Sequence, residues 1–144
     1  SDKYAFRTPT LLNVEVTLPY GHAGAYSNLF DAVKHHVNPA EAIASYSFDG
    51  DAIQPGMQVA NAQANTQKAL EKLTSLQSSG ESKLVNSNLS DDQVGQLVSF
   101  LQTLTDPCVL DDECLSKWIP SDEDINPDHL QLVPSNDFSA NVRD

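Results

Sequence analysis

Two histidines stand side by side in FDAVKHHVNP, residues 30–39, near the end of a segment with helical spacing. Imidazole moves protons near neutral pH and binds metals through a ring nitrogen, so the direction each ring takes decides what the pair can do. Adjacent helical positions point about 100° apart, and the two rings cannot share a face. Leu29, Val33, His36 and Val37 fall at i, i+4, i+7 and i+8 on one apolar face, while His35 sits four residues after Asp31 on the polar side. The period predicts His36 inward and His35 outward. An inward histidine is either a hydrogen-bonded core side chain, the commoner fate, or a ligand. Tyr20, Tyr26 and Trp118 are able to carry oxidising equivalents, although aromatic packing accounts for each with fewer assumptions.

Cys108 and Cys114 lie in DPCVLDDECLSKW with five residues between them. A local disulfide is feasible at that spacing and implies an oxidising compartment; two structural or free thiols are the alternative. Acidic neighbours and the lack of a nearby histidine speak against a zinc site.

The elements that must position these groups follow from local signals. Residues 4–26 carry Pro9, Pro19, Gly21 and Gly24 without a helical period, and read as an extended, turn-rich segment. VEVTL alternates like a strand but has no partner strand. Ser27 is placed to cap a helix over 29–37, and Asn38-Pro39 ends that helix and starts a short one, PAEAIAS. FDGDAIQPGM, residues 48–57, reads as a turn, since it lacks the long alternation of oxygen donors of a calcium loop. Residues 60–77 look helical with Leu70, Leu73 and Leu76 on one side, and 76–88 form a polar linker. Ser90 and Gln93 make a capping-box pattern ahead of the stripe Val94, Leu97, Val98, Leu101 and Leu104, and Asp106-Pro107 stops that helix. The proline-containing stretch 107–144 reads as an irregular wrap or arm.

The 144 residues suit one domain. Of the 40 % hydrophobic residues many are alanines, with one Trp and one Met, so a thin core is expected, with room for something else to fill it. A net charge of −12 argues against phosphate-backbone binding, which needs Lys and Arg to displace counterions. It suits a cationic partner or, more plainly, solubility. No apolar run approaches the roughly 20 residues of a membrane span. With no initiator Met or leader, Ser1 reads as a processing or cloning boundary, and SDKYAFRTPT as the middle of a longer chain.

FRTPTLLNVEVTLPYGHAGAYSNLFDAVKHH resembles the C-terminal haem domain of the bacterial di-haem cytochrome c peroxidase family, including its MauG-like branch. There a stretch of the type FR.PTLRNV…TAPY.H.G precedes a helix of the type LEDAV whose end supplies a haem ligand. The matching residues are Phe6, Arg7, Pro9, Thr10, Leu11, Asn13, Val14, Thr17, Pro19, Tyr20, His22, Gly24, Leu29, Ala32 and Val33. LSDDQVGQLVSFLQTLTD similarly resembles the family's closing helix, so residues 4–39 and 89–106, about a third of the chain, carry the likeness.

The resemblance implies an all-α, cytochrome c-like domain over 1–106, with an atypical insertion at about 40–88 and a tail over 107–144. It implies a periplasmic location, haem c and calcium as cofactors, and peroxide reduction or related oxidation. Electrons from a small cytochrome or copper protein would reach the C-terminal haem and pass to an N-terminal haem, where hydrogen peroxide is cleaved. His36 falls on the sixth-ligand position, where relatives put Met or Tyr, and a nitrogen donor in place of a thioether lowers the haem potential. His22 falls in the haem-proximal loop, Arg7 is available to a propionate, and the backbone carbonyls of Thr17 and Pro19 fall among the ligands of an interdomain calcium. Met57, in a Gly-Pro loop where the likeness is poorest, is a lesser rival ligand.

Departures limit the likeness. The chain has no CxxCH, so covalent haem attachment and the proximal histidines belong to an N-terminal haem-bearing portion of the same protein, and this chain alone is expected to be inactive. Leu12 replaces a usual Arg. Two other functions remain compatible with the sequence. One is a MauG-like enzyme oxidising protein side chains. The other is a non-enzymatic acidic helical module docking a cationic partner, although such a module has no need of FRTPTLLNV…LPYGHAG in that order.

Overall fold

The computed structural model describes residues 4–48 and 59–119. Met57, most of the turn predicted at 48–57 and the tail from 120 onward lie outside the described residues. Among those described, the fold is all-α: α1 (Leu29–Val37), α2 (Pro39–Ser45), α3 (Ala62–Ser78), α4 (Asp91–Gln102) and α5 (Asp112–Ser116), with 3-10 turns at Val14–Val16 and Pro107–Leu110. The only sheet-like pairing among these residues is an isolated antiparallel bridge between Tyr20 and Tyr26.

Helix boundaries follow the polar residues that satisfy loose backbone groups. Asn28, not the expected Ser27, caps α1: its Oδ1 accepts from the Asp31 N–H at 2.8 Å and its Nδ2 donates to Asp31 Oδ2 at 2.7 Å. An amide can serve both partners at once, which a serine hydroxyl one residue earlier does less well. Asn38 does double duty. Its N–H closes α1 onto Lys34 O at 2.9 Å, and its side chain caps α2, with Pro39 at the first helical position. Ser90 and Gln93 form the reciprocal capping box at the start of α4.

VEV winds into a 3-10 turn and not an extended run, because Asn13 enters it at φ 61°. Asparagine tolerates this left-handed backbone better than other residues with a Cβ. The turn locks against the end of α4. Asn13 N–H donates to Leu104 O at 3.1 Å, and Asp106 N–H donates to Asn13 Oδ1 at 2.7 Å. Glu15 accepts from Gln102 Nε2 at 3.2 Å and from Thr105 Oγ1 at 2.8 Å.

Residues 107–116, expected to be irregular, instead form the 3-10 turn and α5, capped by Asp106 and Asp111 and joined by the Cys108–Cys114 disulfide. The cause is local: each aspartate accepts backbone N–H groups just ahead of it, and the covalent bridge holds the two turns together.

The core is as thin as the composition implies. Val94 is the one large side chain fully enclosed among the described residues, at 1 % exposure, and Ala32 and Val33 of α1 are buried with it. Leu97 and Phe100, on the adjacent side of α4, are open to solvent. Val94→Ala is expected to cost about 1–3 kcal/mol in urea unfolding, from lost burial and a cavity. Leu97→Ala is expected to change stability by less than about 0.5 kcal/mol, so the two midpoints measure directly which side of α4 holds the domain together.

Candidate functional site

The pairing of the two histidines is the reverse of what the period predicts. His35 is half-buried, with its Nδ1 2.9 Å from the Tyr26 hydroxyl. His36 is exposed, and its ring contact is an edge-on approach to His35, 6.0 Å between centroids. At 100° per residue, position 36 lies between the buried Ala32 and Val33 on the wheel. The side of α1 that should be covered is therefore left open at its last turn. Tyr26, which precedes the helix cap, lies against His35 and covers the side that the wheel marks as polar. Asp31, four residues before His35 on the same helix, is hydrogen-bonded by Asn28.

An aromatic cluster surrounds His35. Tyr26 packs against it at 5.4 Å, Tyr46 of the α2 end meets Tyr26 edge-on at 5.5 Å, and Phe48 meets Tyr46 at 4.9 Å. Tyr46 hydroxyl donates to Ala25 O at 3.0 Å, drawing the 20–26 loop onto α2. Desolvation, with smaller effects from Tyr46 and Asp31, pushes the Tyr26 phenol up to about 12. Desolvation, then the neighbouring His36, lowers the pKa of His35 below the ordinary value of 6.5. An open groove of about 440 Å³ borders Tyr26, Tyr46, Lys34, Leu89 and Val94. Lys34 Nζ lies 2.8 Å from Asp91 Oδ1, which pins the start of α4 to α1 and raises the lysine pKa.

Phe6 and His22 stack at 4.3 Å between ring centroids, so the FRTP segment and the LPYGHAG loop meet. Arg7, His22, Thr17 and Pro19 are all exposed. Gly24 turns at φ +69° where an added Cβ would lie 2.9 Å from Pro19 Cγ, so this loop needs glycine for both conformation and space. The structure thus brings Phe6, Arg7 and His22 into one neighbourhood and places His36 on an open helix end.

The donor sets fit the implied groups unequally. The exposed His36 imidazole is sterically free to approach an iron from outside, and Phe6, Leu11, Leu12, Leu97 and Phe100 are exposed apolar side chains. Calcium takes about 6–8 oxygen ligands, and residues 17–26 contain no Asp or Glu, so Thr17 and Pro19 supply at most a minority of such a shell. Among the described residues, no three His, Cys, Asp or Glu side chains gather as a metal site.

Sequence reasoning missed the Tyr26–His35–Tyr46 cluster as a unit. Its members come from a loop, a helix and a helix end, and no single period links them.

The His35 shift has a pH consequence. With the folded pKa lowered, the unfolded chain binds more protons below about pH 6.5, so stability is full above that value and falls as acid is added. The slope of urea midpoint against pH is expected to flatten in His35→Gln. Tyr26→Phe is expected to cost about 1 kcal/mol at neutral pH for the lost hydrogen bond. Comparison with protein-family models, curated proteins and solved structures finds no match to this chain.

Proposed function

We propose that this chain is part of a periplasmic di-haem c-type cytochrome peroxidase, in which His36 gives the sixth axial ligand of the electron-transfer haem. One observation carries the reading: the FRTPTLLNV…LPYGHAG stretch and the helix that bears His36 follow in the order of the resembling family, while the exposed His36 ring departs from the inward position its spacing predicts and needs a partner surface to enclose it. A second surface, belonging to the N-terminal haem-bearing portion, would then complete that interior. The packing of the two resembling segments supports it too. Asn13 and Glu15 bind the end of α4, and Lys34 binds its start, so residues far apart in sequence form the single unit that one haem domain requires.

Within this reading each group has a modest task. The His36 nitrogen would hold the iron, and a nitrogen donor there would lower the potential relative to a thioether. Arg7 would be available to a propionate, the Phe6–His22 contact would hold the proximal loop, and the Thr17 and Pro19 carbonyls would give a calcium at most a minority of its ligands. The haem, when bound, supplies one-electron transfer toward the peroxide-cleaving centre, with electrons from a small cytochrome or copper protein. The Cys108–Cys114 disulfide is compatible with an oxidising compartment. No helix among the described residues is long and apolar enough to cross a membrane.

The test is the visible spectrum of the full-length polypeptide purified from the periplasm. A low-spin c-type haem is expected to turn high-spin in His36→Ala and to stay low-spin in His35→Ala. His36→Met is expected to raise the potential by on the order of 0.1 V, within the roughly 0.8 V that axial ligation spans. A colourless protein, or an unchanged low-spin spectrum in His36→Ala, returns the chain to an acidic interaction module.

A further inference from the structure

Three of the tyrosines place their hydroxyls differently, and the difference is chemical. Tyr20 donates to the Glu15 carbonyl at 2.9 Å, and Tyr46 donates to the Ala25 carbonyl at 3.0 Å. A carbonyl oxygen accepts a hydrogen bond but has no capacity to take the proton away. Tyr26 alone among these three faces a nitrogen base, His35 Nδ1 at 2.9 Å. With the imidazole proton on Nε2, the phenol donates to Nδ1. A phenol radical cation is a very strong acid, so a phenol gives up an electron readily only where the proton has somewhere to go in the same step.

We propose that Tyr26 is a redox-active tyrosine and His35 its proton acceptor. In the oxidation, Tyr26 loses one electron to a one-electron metal-centred oxidant. Its O–H bond breaks, the proton passes to His35 Nδ1, and the products are a neutral tyrosyl radical hydrogen-bonded to an imidazolium. On return, one electron from a reductant and the same proton restore the phenol and the neutral imidazole. The surroundings suit a radical that is formed and then reduced again. Tyr46 and His35 pack against the ring, and Tyr26 borders the open groove from which a small electron donor can reach it. His36 lies one ring further on, 6.0 Å from His35, so an oxidant at that residue would be in short electron-transfer range. The identity of that oxidant as haem iron rests on the function proposed above; the Tyr26–His35 chemistry does not.

The experiment uses the full 144-residue chain without haem, in the Trp118→Phe background, because Trp118 is 79 % exposed and competes for oxidation. A photogenerated ruthenium(III) polypyridyl complex serves as oxidant, with transient absorption and electron paramagnetic resonance as readouts. A tyrosyl radical is expected, lost in Tyr26→Phe and kept in Tyr46→Phe. His35→Gln keeps a hydrogen-bond acceptor but removes the base, and is expected to slow radical formation about a hundredfold, the low end of what a positioned proton acceptor contributes. Deuterated water is expected to slow the reaction of the parent chain, a reading that needs no variant at all. An equal radical yield in Tyr26→Phe, an unchanged rate in His35→Gln, or no solvent isotope effect each overturns the proposal. Because the oxidant is supplied from outside, these results stand apart from whether His36 binds iron.

Discussion

The clasp between Asn13, Glu15 and the last turn of α4 is the constraint on which the described structure depends. The first part of the opening segment has no α-helix or sheet of its own to anchor it, and it is held to α4 by one backbone bond from Asn13, one bond accepted by the Asn13 side chain and two side-chain bonds onto Glu15. Net values of about 0.5–1.5 kcal/mol for a neutral bond, and about 1.5–3 kcal/mol for one to a charged group, make a single bond to Glu15 comparable with the burial of a valine. In a domain with one fully enclosed large side chain, that equality matters. Polar geometry fixes the relative position of the loop and helix, and the apolar core adds little more.

A thin core and open apolar faces have the same origin. Leu97 continues the stripe that Val94 begins and Phe100 lies beside it, but only the part of α4 turned toward α1 and the Val14–Val16 turn is covered. A helix that is apolar on more sides than the other described residues cover leaves surface that water penalises. The open end of α1 at His36 belongs to the same pattern. These open faces are where the second haem-bearing portion of the proposed function would pack, and the proposed ligand His36 lies among them.

Where a single residue sets local geometry, the sequence is informative. Asn38-Pro39 marks the junction of α1 and α2, Ser90 with Gln93 marks the start of α4, and the two cysteines pair as their spacing allows. Each of these rests on atoms within a few residues of one another. The helix over 60–77 is found at Ala62–Ser78 for the same reason. The orientation of the histidines is not local. Helical spacing states which residues share a side of α1 but not which side another segment covers, and Tyr26, outside the helix, settles the matter for His35. The 3-10 turn at Val14–Val16 escapes for a related reason. Its alternating sequence suits a strand, and it is the left-handed Asn13, held by α4 far along the chain, that bends it.

Asn38 leaves no slack between α1 and α2, since one residue ends the first helix and begins the second. Tyr46, at the far end of α2, is bonded back to Ala25, and Tyr26 beside it is bonded to His35 of α1. The three pieces form a closed triangle with a rigid corner. Widening any one side means parting a hydrogen bond on another, so loop and helices move as a frame, and a push on the tip of α1 is felt at the phenols.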